Sequence, residues 1–219
     1  MARMFEALFR KHEVDSVKIF EDREFRGFRD RGGRTFSNLE FRRCSFMSCG
    51  TSFTTKPHRR SIVRNVKLVQ CEQLGCIVGT AIIEDVVVDG LKTHGQLLQT
   101  WGAVFKHVTL KGDIGRIMIS PLVAPGLAKP HEQRAFDEAN AAYYAGVDWA
   151  LDISEARFEE CDIRGIPARL IRRDPETQVV VTREKALLGK WRQVDLSGTY
   201  WATGIEFLLE RGEPDVVLV

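Results

Sequence analysis

The stretch from Val66 to Phe105 reads VKLVQ, CEQLG, CIVGT, AIIED, VVVDG, LKTHG, QLLQT, WGAVF when divided into fives. The first places hold Val66, Cys71, Cys76, Ala81, Val86, Leu91, Gln96 and Trp101. The third places hold Leu68, Gln73, Val78, Ile83, Val88, Thr93, Leu98 and Ala103. Thirteen of these sixteen residues are apolar, against 44% of the whole chain. The fifth places, Gln70, Gly75, Thr80, Asp85, Gly90, Gly95, Thr100 and Phe105, are nearly all compatible with a turn. A period of five fits neither a helix of 3.6 residues per turn nor an alternating strand. It fits a chain that turns a corner every five residues, with places one and three pointing inward. That is the pattern of a parallel β-solenoid.

Towards the N-terminus the frame continues through LEFRR, CSFMS and CGTSF, with Leu39/Phe41, Cys44/Phe46 and Cys49/Thr51 inward. Leu39 and Val66 are 27 residues apart, two more than a multiple of five. Residues 54–62, with Pro57, His58, Arg59 and Arg60, therefore read as a loop bulging from a corner. Val17 to Arg34 is at most a degenerate first coil, with charges and the pair Gly32-Gly33 interrupting VKIFE, Phe25 and Phe28. Residues 4–12 read as a short helix with Phe5, Leu8 and Phe9 on one side, fit to cap the solenoid.

Towards the C-terminus the frame slips by two and resumes at Val108 as VTLKG and DIGRI. Pro121, Pro125 and Pro130 exclude a regular ladder over 121–149. Residues 131–145 have a helical composition with Gly146 as a stop, so 121–149 is expected to be a helical insertion projecting from the rod. The frame returns at Leu151 as LDISE, ARFEE and CDIRG, and Pro167 ends it. A strand over Val179–Val181, a helix over 183–191, a last partial coil from Val194 with Trp201 inward, and a helix over 204–211 stopped by Gly212 complete the reading. The chain is one domain: 1–35 a cap or degenerate coil, 36–120 the main coils, 121–149 the insertion, and 150–219 further coils and a C-terminal cap.

With 219 residues, a net charge of +2 and 28% charged residues, the chain gives no global reason to seek nucleic acid or an anionic membrane. No apolar run approaches the ~18 residues of a spanning helix. The start, MARMFEALFRKHEV, is charged at Arg3, Glu6, Arg10 and Lys11 and is not expected to act as a secretion signal. Five cysteines, an odd number, fit reduced thiols and a cytoplasmic location.

At CSFMS, ARFEE and CDIRG the sequence resembles the pentapeptide-repeat family, whose unit runs small residue, Asp or Asn, Leu or Phe, then two variable residues. Ala156-Arg157-Phe158 and Cys161-Asp162-Ile163 match it, whereas Lys67, Ile77 and Ile82 depart from the Asp/Asn place. The resemblance implies a right-handed quadrilateral parallel β-helix with four pentapeptides per coil and short terminal helices. Stacked coils rise by ~4.8 Å. It also implies a non-enzymatic scaffold that binds a protein partner, with immunity or target protection as candidate roles and a solenoid end as a candidate homodimer surface. The family includes proteins that imitate DNA to bind topoisomerases, but a net charge of +2 argues against that role here.

The Cys-x4-Cys pairs Cys44/Cys49 and Cys71/Cys76 follow from the period and are read as core positions, not as zinc ligands. His12, His58, His94, His107 and His131 form no HExxH-type pair. The acidic group Asp148, Asp152, Glu155, Glu159, Glu160 and Asp162 invites comparison with sugar-cleaving β-helices, which use two opposed carboxylates. The frame instead places Asp152 and Asp162 in the Asp/Asn place and the glutamates in solvent. No phosphate-binding or nucleophile-elbow motif occurs. No catalytic, metal or cofactor site is expected. The candidate partner-binding residues are Arg59, Arg60, His131, Arg134, Tyr143 and Tyr144, although the two tyrosines serve equally well to pin the insertion to the rod. The alternatives are a carbohydrate-active β-helix and a DNA mimic.

Overall fold

A computed structural model describes residues 16–212 and 214–219. The chain winds through parallel rungs. β1 (Lys18–Glu21) and β2 (Glu24–Arg26) form the first rung, followed by β3 (Thr35–Arg42), β4 (Ser45–Met47) and β5 (Gly50–Thr51). The next rungs are β6 (Ile62–Leu74) with β7 (Ile77–Val78), and β8 (Ile82–Lys92) with β9 (Leu98–Trp101). They are followed by β10 (Val104–Asp113) with β11 (Arg116–Ser120), β12 (Leu151–Arg157) with β13 (Glu160–Ile163), and β14 (Ile171–Arg172). One sheet runs β1-β3-β6-β8-β10-β12-β14 and a second β13-β11-β9-β7-β5, with parallel pairing throughout both. This is a solenoid-like stack of parallel β-sheets.

The register reproduces the pattern of fives. Val66 pairs with Val86 and Leu68 with Val88, twenty residues apart. Val86 then pairs with Val108, so the slip of two adds two residues to one coil and leaves the column intact. Leu39 opposite Val66 absorbs 27 residues, and Val108 opposite Leu151 absorbs 43, including the insertion. The turn places also fall as the period demands. Asn65, Gln70 and Gly75 have φ of 52°, 50° and 63°, and Asp85, Gly90 and Gly95 have 53°, 76° and 70°. Non-glycine residues in this left-handed region are uncommon, and Asn and Asp tolerate it best. Thr80 has no positive φ, and beyond Gly95 the expected frame is corrected. Ile77 pairs with Gln99 and Val78 with Thr100, so the slip of two falls before Leu98. Thr100 and Phe105 are buried, and positive φ resumes at Gly102, His107 and Gly112.

The degenerate first stretch is a true coil. Phe20 stacks on Phe41 at 5.3 Å and Phe25 on Phe46 at 5.2 Å, with edge-to-face contacts between the two columns. Such pairs add about 0.5–1.5 kcal/mol each beyond the area they bury. The expected helix over 4–12 lies outside the described residues. The interior is apolar from Phe25 to Ile171, with Cys44, Ala81, Val104, Leu151 and Ile153 fully buried.

Four expectations for the remainder are corrected. The insertion helix α1 (Pro130–Tyr144) does not project: Phe136, Asn140 and Tyr144 are buried against the rod. The 54–62 loop is folded in, with Arg60 and Ser61 buried. Pro167 does not end the stack, because β14 adds a further strand beyond it. No coil forms from Val194. Instead β15 (Val179–Thr182) pairs antiparallel with β16 (Asp215–Leu218), and α2 (Arg183–Leu187) and α3 (Trp201–Arg211) pack on that hairpin around Ala186, Ile205, Leu208 and Leu218. Trp201 sits half-buried on α3. Gly212, with φ 72°, stops α3 as expected. Buried Gln178 ties this unit to the rungs, donating to the Ile153 carbonyl at 2.9 Å.

Candidate functional site

The candidate site is the corner where α1, the 54–61 loop and the 29–34 loop meet. Asp30 organises the two loops. Fully buried, it accepts from the Ser52 amide at 3.0 Å and the Ser61 hydroxyl at 2.5 Å through one oxygen, and from the Gly32 amide at 3.1 Å through the other. Arg34 Nε lies 3.7 Å from that second oxygen, so the buried charge is both hydrogen-bonded and faced by a cation, as a buried carboxylate requires. Gly32, at φ 99°, lets the first loop lie directly on the second; a side chain there would meet the Arg59 carbonyl at 2.5 Å.

Arg60 fastens α1 to this corner. The residue is 7% exposed, and its guanidinium lies 4.8 Å from the Phe136 ring and donates to the Gly102 carbonyl at 3.3 Å and to Asn140 Oδ1. Its Nε has no partner among the described residues. Burial pulls its pKa down to about 10, since no carboxylate lies against it to offset the lost hydration. Asn140→Asp would supply that carboxylate. The variant is expected to gain about 1–3 kcal/mol at neutral pH, the usual worth of a hydrogen bond to a charged group. The new carboxyl would titrate below its unfolded-state value. The gain is therefore present above the ordinary carboxylate range and is lost as pH falls through the lowered value. Urea midpoints of parent and variant at neutral pH and at about pH 3 check this, and a destabilised variant at neutral pH refutes it.

The two tyrosines are spent on docking. Tyr144 is buried and its hydroxyl accepts from the Phe105 amide at 3.3 Å, while Tyr143 donates to Glu84 Oε1 at 3.0 Å. Burial pushes both phenols up, and the Glu84 charge adds to the shift of Tyr143. Of the six candidates, Arg60 and Tyr144 are thus buried and unavailable to a partner, and Tyr143 is half-buried. Arg59, His131 and Arg134 are exposed. At the N-terminus of α1, Glu132 accepts from the Lys129 amide at 2.8 Å and is hydrogen-bonded to the Thr55 side chain, which holds its carboxyl below the usual range. The helix and the 54–61 loop are thereby joined at the surface as well as underneath.

The other chemical candidates are engaged locally. Cys44 and Cys71 are buried in adjacent rungs, and their thiols donate to backbone carbonyls. Asp152 is bound by the amide and hydroxyl of Ser154, and Glu155, Glu159 and Glu160 are exposed. His107 is a feature the sequence reading missed. Its ring bridges Asp85 at 3.1 Å and Asp148 at 2.7 Å and lies against Trp149, fastening the exit of the insertion to the β8 corner. The signal available was its place: His107 occupies the same column as Asp85 and Asn65, with φ 54°. A cleft of about 420 Å³ between α1 and the Gly165–Arg169 turn contains one acid, Asp137, and one base, Arg169.

No helix of the described residues is long and apolar enough to cross a membrane. Comparison of the chain with family models, curated proteins and solved structures finds no match.

Proposed function

We propose that this chain is a non-enzymatic scaffold of the pentapeptide-repeat type, a right-handed four-sided β-helix that binds a protein partner. The recurrence of left-handed backbone angles every five residues, stacked in columns, supports the four-sided architecture. The observation that carries the function is the corner built on Arg60. α1 and the 54–61 loop are locked to the rungs beneath, while Arg59, His131 and Arg134 stay exposed on that fixed base. Side chains presented on a rigid base lose little freedom on binding, so more of the contact energy appears as affinity.

Site-specific photo-crosslinking in the native host tests the reading. A crosslinking residue at Arg59 or Arg134 is expected to capture one discrete protein that the same residue at Glu159, on the rungs beyond the insertion, does not. Equal capture at all three positions, or none at Arg59 and Arg134, would discard the corner as the binding surface.

A further inference from the structure

We infer that the corner takes an acidic polypeptide segment as its partner. The inference rests on the binding-surface reading above and adds the chemistry of the partner. Charge along the chain is uneven. Residues 16–60 hold eleven Lys and Arg against five Asp and Glu, whereas 61–219 hold eighteen against twenty-two. The excess is concentrated where three segments converge. Arg29 and Arg31 come from the first loop, Lys56 and Arg59 from the second, and Lys129 and Arg134 from the start of α1, and all six are exposed. The segments touch: the Gly32 backbone lies on the Arg59 carbonyl, the Arg34 amide donates to Ser61 Oγ at 3.2 Å, and Glu132 meets Thr55.

The acids of the two loops and of the first turn of α1 are already committed. Asp30 is buried under four donors, and Glu132 is held by the Lys129 amide and Thr55. Among the described residues Arg31, Lys56, Arg59 and Arg134 have no ion-paired carboxylate, while the Lys129 charge acts on Glu132. Elsewhere the rungs pair opposite charges: Arg64 with Glu84, Lys111 with Asp89, Arg157 with Asp113, and Arg43 with Glu21 and Asp22. The corner therefore combines a fixed backbone with unpaired bases, several of them guanidinium forks suited to carboxylates.

Phosphate polymers fit less well. Single-stranded nucleic acid is held by exposed aromatic platforms. Here Phe136 and Tyr144 are buried and Phe53 lies beneath the Arg29 guanidinium at 5.7 Å. A net charge of +2 supplies no long-range field for a duplex, whereas a short acidic segment needs only a local patch.

The test is fluorescence anisotropy with four labelled probes: a peptide of alternating Glu and Asp, its Gln/Asn counterpart, single-stranded RNA and duplex DNA. The expected result is salt-sensitive binding of the acidic peptide alone, weakened about tenfold or more by R31E/R59E and unchanged by E159K. These positions are exposed, and circular dichroism verifies that the variants fold. Tighter binding of RNA or DNA than of the acidic peptide overturns the inference, as does peptide binding insensitive to R31E/R59E or absent. The crosslinking experiment separates the two claims. A discrete adduct at Arg59 on a partner segment without acidic residues keeps the surface and refutes the chemistry, whereas absence of an adduct refutes the surface itself.

Discussion

Phe136→Ala is expected to lower the unfolding free energy by about 3–5 kcal/mol, the usual range for deleting a fully buried phenyl ring. Phe136 has 0% exposure and carries the Arg60 guanidinium on its face. Its loss leaves a cavity and removes a partner from a buried cation that has no carboxylate, so two costs combine. The Asn140 and Gly102 contacts of Arg60 depend on the same seating. Denaturant midpoints measure the loss, and limited proteolysis locates it: cleavage within 122–147 is expected to accelerate before cleavage in the rungs. A loss below about 1 kcal/mol, ordinary for a surface position, would mean that α1 is not part of the rod's core. Removing the whole 122–147 segment is for the same reason expected to uncover the rod and not to leave it intact.

Gly79→Ala is expected to cost about 3 kcal/mol, at the upper end for a forced extra methyl group. A Cβ at this position would lie 2.5 Å from the Ser52 carbonyl oxygen and 2.7 Å from that of Thr51. Both oxygens are already used, accepting from the Thr80 and Gly79 amides at 3.0 and 2.7 Å, and the Thr80 hydroxyl also reaches Ser52 O. The obstacle is backbone and cannot rotate away. Relief requires prying apart two rungs whose spacing of about 4.8 Å is set by the ladder itself. Thermal melting measures the cost, with Gly95→Ala as a comparison: that glycine has open space around it and only its φ of 70° to lose. A smaller loss at Gly79 than at Gly95 would refute the close-packing account.

The rungs were legible because the interior repeats. Val66, Leu68, Val86 and Val88 must all enter one lumen, so their spacing survives even where the Asp/Asn place does not. The first coil was harder to read because the charges at Arg23, Glu24, Arg26 and Arg29 face solvent and mask Phe20 and Phe25, which form the stacked columns. α1 was legible as a helix from its composition and its prolines, but its seat was not. Docking depends on Arg60, an arginine by type assigned to the surface, finding a ring and two carbonyl groups far away in sequence. The antiparallel closure of β15 and β16 escaped for a related reason. Their pairing spans 179–218, and VDLSG and TYWAT imitate the five-residue beat without any neighbouring rung to join. Of the proposed binding residues, Arg59, His131 and Arg134 could be named but not placed together. The loop of Arg29 and Arg31 entered only through Gly32 and Asp30, whose contacts no local pattern reveals.

Coils of 20, 22, 27 and 43 residues all return to the same columns. Length changes are therefore absorbed at the bends, and along the straight runs only where a bulge takes them up, as between Thr109 and Lys111 opposite Asp152 and Glu155. Over long divergence such a molecule would drift freely in spacing and in its solvent-facing letters while its cross-section stays fixed. Kinship in this class would then be better traced by overlaying successive layers of the stack than by aligning text from end to end.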